Sequence, residues 1–62
     1  MPDATEIRIL TPAQETQARL LARQNALDVH FRPLEEFLPG EGTGATVAIA
    51  RGTAAAAWLA TF

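Results

Sequence analysis

Ala45-Thr46-Val47-Ala48-Ile49-Ala50-Arg51-Gly52-Thr53-Ala54-Ala55-Ala56-Ala57-Trp58-Leu59-Ala60-Thr61-Phe62 is the most apolar part of the chain, and the break at Gly52 decides the fold. Ala45 to Arg51 reads as a strand, with Val47 and Ile49 on one face and small residues on the other. Beyond it two readings are open. Thr53 can cap a helix whose Ala54, Ala55, Trp58, Leu59 and Phe62 form one face at helical spacing, as the propensity of alanine favours. Alternatively, Gly52-Thr53 is a two-residue type II′ turn, which takes Gly first, and the chain returns as a strand with Trp58, Ala60 and Phe62 on one face.

Upstream, Leu27 to Arg32 has a two-residue period. Leu27, Val29 and Phe31 point one way and Asp28, His30 and Arg32 the other, the pattern of a half-exposed strand. Pro33 ends it, because proline cannot donate to a ladder. Residues 33–38 can form a short helix with Glu35 and Glu36 near its positive end, stopped by Pro39-Gly40, and 40–44 is a loop. Ile7 to Leu10 alternates apolar and charged as a short strand does. Thr11-Pro12-Ala13-Gln14 then carries a complete helix start: a capping Thr, Pro in the first position and Gln three after the cap. Good helix formers continue through Arg23. Ala18, Leu21, Ala22 and Asn25 line one side, a narrow stripe with one buried face, and Asn25 is suited to a left-handed cap.

Composition narrows the function classes. A chain of 62 residues without cysteine has neither a disulfide staple nor a thiolate metal site. Five Arg and no Lys against seven acids leave a net charge of −2, without the basic footprint of a nucleic-acid partner or an anionic membrane. The start of the chain is polar and does not read as a secretory signal, so the expected location is cytoplasmic. Thirteen residues are Ala, which bury little area each. A small core of this kind is expected to lean on a partner, a second copy or further sequence. Residues 45–62 are the expected contact region.

The motifs that invite chemistry are weak. Gly40-x-Gly42-x-Gly44 precedes a strand, whereas a phosphate-cradling loop follows a strand and opens a helix. His30 lies between Asp28 and Arg32, as an oriented general base can, but the chain has no Ser or Cys to activate. Glu35 and Glu36 are adjacent, so on a helix they do not face one another as an acid/base pair. Phe31, Phe37, Trp58 and Phe62 read as core or interface anchors; the basic residues a base-stacking platform wants between aromatics are missing. No metal site and no catalytic residue is expected.

Taken in order, these segments resemble the first part of a GCN5-related N-acetyltransferase (GNAT), an acyltransferase family. The residues that carry the resemblance are Ile7-Arg8-Ile9-Leu10, Thr11-Pro12-Ala13 opening a helix, Ala18-Arg19-Leu20-Leu21-Ala22-Arg23 late in it, the 27–36 segment, Leu38-Pro39-Gly40, then Ala45 to Arg51, a turn and Ala57 to Ala60. The resemblance implies the hairpin at Gly52-Thr53, with 54–62 a strand and 27–38 a variable loop and second helix. The implied fold class is α+β: strand, helix, short helix and antiparallel β-hairpin. It is a single small domain over 1–62 or an N-terminal fragment of an acetyltransferase-like domain. The parent transferase would move an acetyl group from acetyl-CoA to an amine, with Phe31, Glu35 and Glu36 on the acceptor-substrate side. The Gln/Arg-x-x-Gly-x-Gly/Ala loop that holds the cofactor pyrophosphate has no match here, so neither cofactor binding nor activity is expected of this chain by itself. The alternative, from a different class, is a complete non-enzymatic interaction module working as a homo- or hetero-oligomer.

Overall fold

A computed structural model describes residues 4–40 and 44–62. Strand β1 spans Thr5–Leu10, helix α1 Pro12–Gln24, strand β2 Val29–Pro33, strand β3 Thr46–Arg51 and helix α2 Thr53–Leu59; a single 3-10 turn covers Leu34–Glu36. The sheet order is β1-β3-β2, and β3 is antiparallel to both neighbours. β1 and β2 are therefore parallel to each other with β3 between them, a split β-α-β arrangement. The result is a small α+β domain of two helices on a three-stranded antiparallel sheet.

The start of α1 follows its sequence signals. The Thr11 hydroxyl accepts from the Gln14 amide, and the Gln14 side chain accepts from the Thr11 amide, so the capping box is closed. Removing the hydroxyl with Thr11→Ala is expected to cost about 0.5–2 kcal/mol, read as a lower urea midpoint with an unchanged slope. At the other end, Asn25 is not left-handed; its φ is −101° and its side-chain amide donates to the Leu21 carbonyl. The left-handed residue is Ala26, at φ 53°.

The register sorts side chains to the two faces of the sheet. Leu10, Ala48, Ala50, Val29 and Phe31 share the face under the helices, where Ala18 of α1 and Ala55 and Leu59 of α2 meet them. Ala18, Ala48 and Ala50 have no exposed surface. Small side chains at these crossings let helix and sheet backbones approach, which is how so alanine-rich a chain closes a core. Trp58 and Phe62 pack edge to face, 5.0 Å between ring centroids, against the same cluster.

The hairpin expected at Gly52-Thr53 does not form: residues 53–59 are helix. Both hydrogen-bonding edges of β3 are occupied, one by β1 and the other by β2, so a returning strand has no ladder to join. Gly52 takes φ 96° and ψ 153°, away from the ψ of roughly −120° at a type II′ corner, and its carbonyl accepts from the Ala56 amide to begin the helix. Likewise, residues 29–33 are a strand rather than part of a variable loop. Their two-residue alternation prevailed over the resemblance. The short helix expected within 33–38 is the 3-10 turn.

Candidate functional site

Two depressions lie beside α1, and Arg19 lines both. The larger, about 720 Å³, is an open groove between α1 and β2, bordered by Thr16, Leu20, Arg23, Leu27 and Phe31. The smaller, about 240 Å³, lies by the C-terminal end of β2 and is bordered by Glu15, Arg32, Glu35 and Thr46. The Arg19 guanidinium sits 4.7 Å from the centre of the Phe31 ring. A guanidinium held over an aromatic face is attracted by the ring quadrupole.

Glu15 also holds Arg19. Its carboxylate accepts from Arg19 Nε at 2.6 Å, one turn along the helix, and from the Thr46 hydroxyl on β3. The Thr46 hydrogen bond, then the Arg19 bond and charge, hold the Glu15 carboxyl below its ordinary value of 4.5. Because the folded value is depressed, Glu15 contributes stability above the unfolded value that is lost as pH falls through the folded one. Glu15→Gln is therefore expected to lower stability at pH 7 and to flatten the decline below about pH 4.5. Thermal melts of both chains across the acid range check this.

The residues expected on an acceptor-substrate side are only partly brought together. Phe31 borders the larger groove and Glu35 the smaller, with Arg19 common to the two. Glu36 borders neither; it is held by Arg32 in a two-point ion pair with N–O distances of 2.9 and 2.8 Å. The sequence reading missed Arg19, Glu15 and Thr46. Glu15 and Arg19 are four apart on a helix, which was visible, but Thr46 joins them only through the fold.

The polar groups elsewhere are solvated. His30 Nε2 lies 3.0 Å from Asp28 Oδ1, with side chains 63 % and 60 % exposed. Among the described residues no group of acids and histidine is placed to hold a metal ion, and no helix is long and apolar enough to cross a membrane. The middle of the glycine loop, 41–43, lies outside the described residues.

The face of the sheet away from the helices differs in character. The register places Ile7, Ile9, Val47 and Ile49 there together, flanked by His30, Arg32, Thr5 and Arg51. Ile7 and Ile9 are each 60 % exposed. Of residues 45–62, β3 contributes Val47, itself buried, and Ile49 to this face, and among the described strands both edges of β3 are paired whereas β1 has one unpaired edge. No family model, no curated protein and no solved structure matches this chain.

Proposed function

We propose that this chain is a small non-enzymatic interaction module that works as a homo- or hetero-oligomer. The observation that supports this reading is the apolar sheet face of Ile7, Ile9, Val47 and Ile49, with the two β1 isoleucines in solvent. Burying such side chains against a partner gains about 25 cal/mol per Å², and a chain this short gains more from that than a large one. Sedimentation equilibrium of the purified chain is expected to show a discrete oligomer forming with concentration. A folded monomer that persists to millimolar concentration would overturn the homo-oligomeric form.

The acetyltransferase reading keeps one support, the order of opening strand and capped helix through Arg23. Its cofactor half finds no fit. The strand-to-helix junction at Arg51-Gly52-Thr53 has one glycine, no Gln/Arg-x-x-Gly-x-Gly/Ala spacing and a helix of only 7 residues behind it. No acetyl-CoA step is assigned to these residues. Acetyl-CoA turnover by the chain is expected to be at background.

A further inference from the structure

We propose that β1 pairs with β1 of a second copy of this chain across a two-fold axis at Ile7, joining two three-stranded sheets into one of six strands. This rests on the interaction-module reading and names its partner and register.

The free edges decide which strand is used. The Gly52 amide donates to the Ala4 carbonyl, so the groups of Ala4, Glu6, Arg8 and Leu10 face β3. By alternation, the N–H and C=O groups of Thr5, Ile7 and Ile9 point out from the sheet. β1 is an outer strand, and no described strand pairs with those groups. The opposite edge is blunted. There the Arg51 amide donates to Asp28 and the Leu34 amide to Ala45, which leaves Val29, Phe31 and Pro33 pointing outward. The Val29 amide is already used on Leu27, and Pro33 has no amide hydrogen. Proline and bulges are how an edge is closed to further pairing; β1 carries neither.

The register follows from charge. An antiparallel strand pair with its two-fold axis normal to the sheet sets one residue opposite itself. An axis at Glu6 or at Arg8 sets like charges face to face, which is unfavourable. An axis at Ile7 sets Glu6 opposite the partner's Arg8 and Arg8 opposite the partner's Glu6. It also makes Ile7 a hydrogen-bonded pair with the partner's Ile7, and Thr5 with the partner's Ile9. All the outward groups of β1 are then satisfied. The charged pairs fall at the non-hydrogen-bonded positions, where side chains are closer. On the other face the isoleucines of both copies make one continuous apolar strip. α2 rests over β1, and its exposed positions, Thr53, Ala54 and Ala57, are small.

The test is a charge exchange read by sedimentation equilibrium, with a melting curve for each chain. Wild type is expected to give a monomer–dimer equilibrium with a mass reaching twice 6.6 kDa. Glu6→Arg alone and Arg8→Glu alone are each expected to lose the dimer. Mixed together they are expected to regain it, because each strand then faces its opposite charge. Arg8 also donates to the Ala60 carbonyl at 3.0 Å, so Arg8→Glu could weaken the fold. Thr5→Pro therefore serves as a second probe. It removes an outward donor at the first residue of a strand, where proline is tolerated, and is expected to weaken dimerisation about tenfold. A wild-type dimer that Glu6→Arg and Thr5→Pro leave unchanged would overturn the edge pairing while the module reading stands. A wild-type chain that is folded and monomeric throughout would overturn the edge pairing together with the homo-oligomeric form of the module reading.

Discussion

Leu59→Ala is expected to destabilise the chain by about 2–5 kcal/mol and to leave much of it unfolded at 25 °C. Leu59 and Leu10 are the largest side chains with essentially no exposed surface, 0 % and 2 %. Leu59 comes down from α2 onto the face of β1 and β3 among alanines, which have no reach with which to fill the space it would vacate. A domain of this length holds only about 3–9 kcal/mol in all, by the usual per-residue range. The loss would therefore consume much of the stability. The check is urea unfolding followed by far-ultraviolet circular dichroism, with Leu20→Ala alongside. Leu20 is 55 % exposed, and its truncation is expected to shift stability by no more than about 0.5 kcal/mol. Equal effects at the two positions would mean that α2 does not close the core.

Gly52→Ala is expected to cost about 1–3 kcal/mol, although the added methyl group would meet nothing within 4 Å. The cost lies in the backbone. At φ 96° and ψ 153°, Gly52 occupies a region that only glycine visits without strain. Its conformation turns the chain from β3 into α2, so an L-residue there resists the turn even in open space. Chemical synthesis with D-alanine at position 52 separates the two causes, since a D-residue prefers positive φ. The D-alanine chain is expected to match or exceed wild type in its melting temperature while the L-alanine chain falls below it. Equal losses in both would point to sterics, which the open space around Gly52 argues against.

Most of the local structure could be read from neighbouring residues alone. Thr11, Pro12 and Gln14 state the start of α1 directly. The alternation from Leu27 to Arg32 states which side chains of β2 face the helices, and that of β3 sets Val47 and Ile49 on the face opposite Ala48 and Ala50. What followed Gly52 was not settled by local residues. An alanine run after a glycine suits a hairpin or a helix, and the choice depends on whether the adjoining strand has an edge to offer. Here it has none, because two segments distant in sequence had taken both. The local propensity for helix was the better guide, and the family resemblance, by implying a hairpin, pointed away from it. The site shows the same division. Phe31 borders one depression and Glu35 the other, and their segment, 27–36, is continuous in sequence. The contact of Glu15 with Thr46 spans 31 positions and has no sequence signature.

The central place of β3 also orders events during synthesis. β1 and β2 never touch as neighbours; each pairs only with β3, which lies later in the chain than either. A nascent chain can wind α1 as soon as its residues leave the ribosome, since those hydrogen bonds are local. It can lay down no sheet until Thr46–Arg51 has emerged. When that strand appears, β2 is near in sequence and closes a short loop with it, whereas β1 must be brought back over some forty positions at a greater entropic cost. Throughout that interval the isoleucine-bearing segment of β1 has no strand to pair with, and segments exposed in this way are open to pairing with another emerging chain.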